Sequence, residues 1–420
     1  MLAPSVGQQA VDLFVAAVRT RARVYAGAAA FTIASMYYIW ATESEVGVVS
    51  DMCSVFEAGG VAGWDVGFFN DARATVKRPV VEADLAPILR PSVVDKYAVI
   101  VGPSGTGKST SVRKVIHELI TEGKGGAGAG IIYFSTRELL TDFSQDLARV
   151  VGYRTPIDFF DRIRRFVTGE TKEQAKVPLQ RDEPRTTWSP LSRLLKEAAT
   201  LHKKKHGKAP TLVLDAMDLV AKKDATFFCE VQDFAKACAD SGILRVVFIF
   251  SDGDALPLLL SSSAESRCKK NQIYEVGEIS NADAVEFVIA RYNTDESRAK
   301  ELVETITGGR FTLLQDYGDS ILPLDAIRKV LGIETNIKLR SAGVHATHPM
   351  LKYLAASTSI MRDVAEEMLE PSKISQLLRL NILAVHPNGT YTFNKPHVEA
   401  HAKKELAKAR EMELAKARRW

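Results

Sequence analysis

The nine residues GPSGTGKST, at positions 102–110, constrain the fold of this chain more than any other stretch. They directly follow the apolar run YAVIV at 97–101, which predicts a buried parallel strand. Gly102–Ser109 matches the pattern G-x-x-x-x-G-K-[ST] in full, and a helix is predicted from Lys108 to about Glu122. A glycine-rich turn between a strand and a helix presents backbone N–H groups and the positive end of the helix dipole. The stretch therefore predicts a phosphate-binding loop.

This loop predicts a site for ATP and Mg²⁺. The residues expected to bind the nucleotide are Gly102, Pro103, Ser104, Gly105, Thr106, Gly107, Lys108, Ser109 and Thr110. Lys108 would contact the β- and γ-phosphates, and the Ser109 hydroxyl would ligate Mg²⁺. The stretch TLVLDAMD at 211–218 predicts a strand that ends at Asp215, which fits a second, Walker B-type ligand of the metal.

Strands and helices alternate through residues 76–278, and this pattern predicts a three-layer αβα domain around a parallel sheet. Besides 97–101 and 211–215, the predicted strands are at 131–135, 243–251 and 271–276. The polar, proline-containing segment at 168–190 predicts a surface insertion between two helices.

After residue 278 the predicted strands stop. The helices predicted next are at 281–292, 296–307, 311–318 and 323–332, and they make up a helical unit over 279–345. Residues 346–398 combine three helix candidates with an Asn-Gly turn between short β-type segments, which is the outline of a winged helix. Residues 399–420 predict a charged, solvated helix.

The N-terminal 45 residues contain a candidate membrane anchor. Residues 24–41 carry no charged side chain, and the run is long enough for a membrane-spanning helix. Arginines precede it, and tyrosine and tryptophan lie at its far end, where aromatic rings favour the headgroup layer. We expect an intracellular protein with a single membrane span, followed by a connector at 46–75. The alternative is a buried, alanine-rich core helix. The arginine-rich start also suits a mitochondrial targeting helix, against which Asp12 argues.

The strand IIYFS at 131–135 comes between the loop strand and the Asp215 strand along the chain, so those two strands need not be neighbours. This order resembles the additional-strand class of P-loop ATPases, which includes the AAA+ and STAND groups. Archaeal-type ATPases and the NTPase domains of Crinkler-type proteins look similar. The resemblance covers about residues 76–398, and only the two Walker motifs in it are specific. It implies a helical lid, a γ-phosphate sensor at Ser251 and a second sensor at Arg310, within TGGR at 307–310.

One position departs from these families, which commonly place an acidic residue directly after the Walker B aspartate. Here that residue is Ala216, and the next carboxylate is Asp218. On an extended strand Asp215 and Asp218 would point to opposite faces, so a turn must intervene if Asp218 is to act as the base. Slow hydrolysis, or switching by nucleotide with little turnover, follows from this departure.

Three functions stay open at this point. The first is a membrane-anchored ATPase that meets a protein partner or its own copies through the lid and the winged helix. The second is a soluble DNA-acting ATPase, and the third is a nucleotide-binding scaffold with little turnover. Nucleic acid is not favoured, because the candidate recognition helix SKISQLLRLNILAV is mostly apolar and the formal net charge is only +4. The sequence contains no NKxD-like motif for guanine and no ABC transporter signature.

Overall fold

The computed structural model of the 420-residue chain describes residues 45–59, 76–90, 94, 96–122, 130–136, 143–153, 184–251, 273–318, 320, 322–394 and 396–417. The candidate span at 24–41 lies outside these residues. Among the helices that are described, none is both long and apolar enough to cross a membrane.

Five parallel strands form the central sheet. They are β1 (Ala98–Val101), β2 (Ile131–Ser135), β3 (Thr211–Asp215), β4 (Arg245–Ile249) and β5 (Ile273–Glu275). Their order is β2–β3–β4–β1–β5, with Val213 opposite Val247 and Val99 opposite Phe248. The loop strand β1 and the Asp215 strand β3 are therefore not neighbours, as expected. The strand that separates them is β4, whereas β2 lies at the edge.

Helices cover both faces of this sheet and complete the predicted three layers. They are α1 (Glu45–Ala58), α2 (Pro79–Leu89), α3 (Lys108–Glu122), α4 (Phe143–Val150), α5 (Pro184–His206), α6 (Met217–Lys223) and α7 (Ala225–Asp240). Successive side chains of β1 alternate between two cores. Val99 and Val101 pack on the side of α1, α4, α5 and α7, and Ile100 packs on the side of α2 and α3. Because both faces are covered, the strands read as continuous apolar runs.

The segment at 46–75, expected to be a connector, begins instead as helix α1. Val48, Met52 and Phe56 follow one another at four-residue intervals and are buried against the sheet and α5. A helix face with this spacing docks into the core, so the connector interpretation is wrong for residues 46–58.

The polar segment at 168–190 was expected to be a surface insertion, and this is wrong for its last part, because α5 starts at Pro184. The reason is Trp188, whose ring is buried in edge-on contact with the rings of Phe143 and Phe227. One large aromatic side chain is enough to anchor an otherwise polar helical turn.

A helical unit follows the sheet. It consists of α8 (Asn281–Tyr292), α9 (Glu296–Leu302), a π-helical turn (Val303–Thr307), α10 (Phe311–Tyr317) and α11 (Leu324–Ser341). These elements share a separate apolar core that includes Phe287, Val303 and Leu314. The helix predicted at 323–332 is longer in the structure, because Leu331, Thr335 and Leu339 keep one buried face as far as Ser341.

The C-terminal part combines short helices with a three-stranded antiparallel sheet. Its elements are α12 (Pro349–Ser357), β6 (Ile360–Met361), α13 (Arg362–Met368), α14 (Pro371–Arg379), β7 (Leu383–Val385), β8 (Thr390–Phe393) and α15 (Pro396–Ala417). The strand order is β6–β8–β7, and the Asn-Gly turn joins β7 to β8 as predicted. The winged-helix name and the domain limits stay predictions. The expectation of a solvated tail over 399–420 is wrong for its first turn, where Ala402 is buried.

Candidate nucleotide site

The loop at 102–110 connects β1 to α3 and is closely covered by the start of α10. Gly105 and Gly107 have φ angles of 83° and 86°, which side chains rarely tolerate. A Cβ on Gly105 would lie 2.2 Å from Thr312 Oγ1, and a Cβ on Gly107 would lie 3.0 Å from the Phe311 ring. Both positions thus require glycine for two reasons, the backbone angle and the contact with α10.

Lys108 is buried at the end of this loop. Its Nζ donates to the carbonyl oxygens of Gly102 and Pro103, both at 2.7 Å. The Thr106 hydroxyl donates to the same Pro103 carbonyl at 3.0 Å. These bonds hold the loop in a compact turn.

A cavity of about 190 Å³ opens above the loop. Its walls come from the loop itself, from Arg78 and its neighbours before α2, from Ser251 after β4, and from Phe311 and Thr312 of α10. The structure therefore brings two separately predicted features, the loop and Ser251, to one pocket.

Arg78 is a residue of this pocket that the sequence did not reveal. Its Nη1 donates to the Thr106 carbonyl at 2.8 Å, and its Nη2 donates to the Gly277 carbonyl at 2.9 Å. Burial lowers the pKa of Arg78. The guanidinium ties the loop to the segment after β5, and only its place next to Pro79 at a helix start could have indicated a fixed position.

Asp215 ends β3, as predicted, and is buried. Its Oδ1 accepts from the Ala216 N–H at 2.7 Å, and its Oδ2 accepts from the Tyr133 hydroxyl of β2. Arg113 of α3 donates from Nε to the same hydroxyl at 3.0 Å. Burial, and next the nearby Asp215 carboxylate, raise the pKa of Tyr133 far above its ordinary value. Tyr133 and Arg113 were not predicted, since their sequence surroundings look like ordinary core strand and helix surface.

Ala216 supplies the turn that the sequence required. It has φ 59° and ψ 37°, a left-handed conformation, and α6 starts directly after it. Asp218 in the first turn of α6 then accepts the backbone N–H of Ser251 on its Oδ1 at 3.1 Å. The structure thus pairs Asp218 with Ser251, the residue that reaches the pocket, while Asp215 and Asp218 do not line that pocket.

Arg310, the predicted second sensor, is buried and bonds to two side chains outside the loop. Its Nε and Nη2 donate to Glu278 Oε1 at 2.9 and 2.6 Å, and its Nη1 donates to Asn394 Oδ1 at 2.5 Å. Burial lowers the pKa of Arg310, and Glu278 acts in the opposite direction. The next residue, Phe311, lines the pocket, but the Arg310 guanidinium faces the C-terminal sheet. Its sensor role stays a prediction that this arrangement does not favour.

The oxygen donors present fit Mg²⁺. Ser109 offers a hydroxyl in the pocket. Asp215 lies outside the pocket lining and accepts a hydrogen bond on each carboxylate oxygen, so its part in holding Mg²⁺ stays a prediction. No group of three or more His, Cys, Asp or Glu side chains able to hold a metal ion occurs in the described part of the chain. This is compatible with Mg²⁺, which proteins bind through one or two side chains together with water and substrate phosphates.

Comparisons with known proteins find one domain match and several similar solved structures. Residues 94–259 match the family model of an AAA domain. No curated protein matches this chain. One similar solved structure is the Walker-type ATPase PABY2304 of Pyrococcus abyssi, with a TM-score of 0.48 and 17% identity over 79% of this chain and 97% of that chain. Another is the ORC2 protein of Aeropyrum pernix, with a TM-score of 0.39 and 13% identity over 82% of this chain and 99% of that chain. A third is AMPPCP-bound DnaA from Aquifex aeolicus, with a TM-score of 0.34 and 10% identity over 83% of this chain and 93% of that chain.

Proposed function

We propose that this chain, whose residues 94–259 form a P-loop ATPase domain of the AAA+ type, is a switch controlled by the binding and hydrolysis of ATP. The observation that carries the proposal is the turn at 102–110, set between a buried strand and a helix N-terminus and bent by glycines with positive φ. Such a turn directs successive N–H groups at one point, where they bind phosphate oxygens.

The residues of the loop would contribute to ATP binding in different ways. Lys108 would neutralise phosphate charge, and the first N–H groups of α3 would hydrogen-bond to the phosphate oxygens. Mg²⁺, held by Ser109 and Asp215, would neutralise the charge on the phosphates during their transfer. Arg78 would keep the loop in register with the segment after β5, because it already bonds to Thr106 and Gly277.

Asp218 is the carboxylate best placed to orient an attacking water. It is buried beside Ser251, and one of its oxygens accepts the Ser251 N–H. Together, Asp218 and Ser251 would sense the terminal phosphate and assist its hydrolysis. They would take the role of the acidic residue that similar families commonly have at the position of Ala216. Because one oxygen of the pair is already engaged, we expect slow turnover.

The test compares ATP binding and ATP turnover in four variants of the full chain. Lys108→Ala should weaken ATP binding at least ~10-fold, since a charged hydrogen bond contributes about 1.5–3 kcal/mol. Asp215→Asn should weaken the Mg²⁺-dependent part of binding, and Asp218→Asn should leave binding intact while turnover falls. Lys352→Ala, at an exposed lysine of α12, is the control and should change neither.

Two results would contradict the proposal. If wild type and Lys108→Ala bind ATP equally, the loop is not the nucleotide site. If wild type binds ATP but turns it over only at background rate, the chain is a nucleotide-binding scaffold. Equal turnover of wild type and Asp218→Asn would remove Asp218 from the reaction.

Membrane anchoring is a further part of the proposal. It is supported by the charge-free run at 24–41, with arginines before it and aromatic residues at its end. An intracellular protein with one span should remain in the membrane fraction after alkaline carbonate extraction. Complete release of the full chain would contradict the anchor and leave the ATP site untouched.

DNA binding receives less support. The helix α14, which would read the bases, buries Ile374, Leu377 and Leu378 in the C-terminal core. Few side chains remain on it for base edges.

A further inference from the structure

Each carboxylate oxygen of Asp215 is held by a hydrogen-bond donor. Oδ1 accepts the backbone N–H of Ala216 at 2.7 Å, and Oδ2 accepts the hydroxyl of Tyr133 from the neighbouring strand β2. Because a hydrogen bond weakens steeply when it is bent, a donor on each oxygen fixes the rotation of the carboxylate group. Each oxygen still has a second acceptor position. The orientation of that second position is therefore set by the two donors.

Arg113 determines the direction in which the Tyr133 hydroxyl points. Its Nε donates to the Tyr133 oxygen at 3.0 Å, and its guanidinium lies 5.0 Å from the centre of the Tyr133 ring. A guanidinium has no acceptor atom, so the tyrosine oxygen has to accept this bond. The single hydroxyl proton is then left for Asp215. Burial raises the pKa of Tyr133, so the hydroxyl keeps this proton at neutral pH.

Strand β2 and the residue after it also hold the backbone beside Asp215. The hydroxyl of Thr136 donates to the Ala216 carbonyl at 2.6 Å. Ala216 is the residue in the left-handed conformation, and its N–H is the second donor to Asp215. Tyr133 and Thr136 are both buried. Two hydroxyl groups from one segment thus fix the side chain of Asp215 and the turn that follows it.

The other end of this network lies on the helix that carries Ser109. Ser109 and Arg113 are four positions apart in α3, and this spacing places them on one face of the helix. Ser109 lines the pocket with the hydroxyl that is predicted to ligate Mg²⁺. The hydrogen bonds from Arg113 through Tyr133 to Asp215 therefore connect the helix of one predicted metal ligand to the strand of the other.

We infer that Tyr133, oriented by Arg113, is a positioning residue for Mg²⁺ that acts through Asp215. The inference rests on the proposed function, in which Ser109 and Asp215 hold the metal. Tyr133 does not line the pocket, so it acts through the carboxylate that it orients. The hydrogen-bond partners of metal ligands contribute strongly to metal affinity, and losing one typically costs ~10–100-fold.

The test measures how tightly the full chain binds adenylyl imidodiphosphate, a non-hydrolysable ATP analogue, in excess Mg²⁺ and in EDTA. The ratio of the two dissociation constants from calorimetry reports the contribution of the metal and does not depend on turnover. Tyr133→Phe should weaken binding ~10-fold in Mg²⁺ and leave binding in EDTA unchanged. Asp215→Asn should reduce the effect of Mg²⁺ at least as strongly.

The matched control is the same substitution at another buried tyrosine, Tyr97→Phe. The Tyr97 hydroxyl accepts from Gln232 Nε2 of α7 at 3.2 Å. This variant also loses a buried hydrogen bond and some stability, but it leaves the donors of Asp215 in place. Mg²⁺ should therefore strengthen binding of the analogue to Tyr97→Phe as much as to the wild type.

Arg113→Met tests the first step of the network. It should reduce the effect of Mg²⁺ less than Tyr133→Phe does, because the hydroxyl remains but is no longer oriented. In the Tyr133→Phe background the same change should add no further loss, since no hydroxyl is left to orient. Full additivity of the two losses would overturn the assignment of Arg113.

The outcomes for Asp215→Asn and Tyr133→Phe separate the inference from the proposed function. If Asp215→Asn reduces the effect of Mg²⁺ and Tyr133→Phe does not, the inference is overturned and the proposed metal site stands. Equal weakening by Tyr133→Phe in Mg²⁺ and in EDTA overturns it too, because Tyr133 then only supports the fold. If Asp215→Asn binds the analogue like the wild type in both media, the proposed metal role of Asp215 fails together with the inference.

Discussion

Arg310→Ala should loosen the attachment of the C-terminal sheet to the helical unit by about 3 kcal/mol. The guanidinium is only 2% exposed and holds two partners. Without it, Oδ1 of the buried Asn394 loses its donor, which costs about 2 kcal/mol for an unsatisfied buried acceptor. Glu278 is 31% exposed, so water replaces much of that ion pair, and its loss adds about 1 kcal/mol.

The assay is hydrogen exchange followed by mass spectrometry at increasing urea, read on peptides that cover β7 and β8. The matched control is Arg328→Ala, since Arg328 is 36% exposed and bonds to the exposed carboxylates of Glu301 and Asp325. That change should cost less than about 1 kcal/mol. Arg310→Lys should fall between the two, because lysine keeps the charge but loses the planar fork. Equal losses for Arg310→Ala and Arg328→Ala would refute the reasoning.

Three further predictions concern the ATPase domain, each measured by urea unfolding. Tyr133→Phe should destabilise this domain by about 1–2 kcal/mol, because the buried Asp215 loses a hydrogen-bond donor. An unchanged free energy of unfolding would mean that the Tyr133–Asp215 hydrogen bond does not contribute to stability. Ala216→Gly should leave the free energy of unfolding unchanged or raise it by up to about 1 kcal/mol, because glycine adopts the left-handed conformation without strain. The control Ala221→Gly, within α6, should lower it by about 1 kcal/mol. A loss of stability at both positions would contradict this reasoning. Burial lowers the pKa of His202, so the unfolded state takes up its proton first, and stability should fall as the pH drops from about 7.5 to about 5.5. His202→Leu should remove this part of the pH dependence, and an unchanged profile would assign it to other groups.

The parts of the site that were predictable are those that neighbouring residues determine. The loop at 102–110 carries its own turn chemistry, and the central strands β1, β3 and β4 are mainly apolar because both faces of the sheet are covered. The helix at 281–292 was predicted with the bounds that the structure has. The sequence required a turn after Asp215 only if Asp218 acts as the base, and the structure has a turn at Ala216.

The parts that escaped prediction depend on contacts between distant segments. Tyr133 and Asp215 are 82 positions apart, and Arg310 and Asn394 are 84 apart, so no local pattern marks either pair. Helix α1 is a different case. Its apolar residues at four-residue intervals were visible, but glycines and scattered acids in the same stretch suggested an irregular connector.

The segment from Glu275 to Glu278 connects the nucleotide loop to the C-terminal sheet. On one side, Arg78 joins the Gly277 carbonyl to the loop. On the other side, His386 contacts Glu275 at 2.5 Å, and Arg310 joins Glu278 to Asn394. Arg310 directly precedes the α10 residues that rest on the glycines of the loop. If ATP lifts α10 from those glycines, it must also shift the Arg310 guanidinium and so disturb its bonds to both partners. In the proposed switch we therefore expect Arg310 to transmit the state of the loop to the C-terminal sheet.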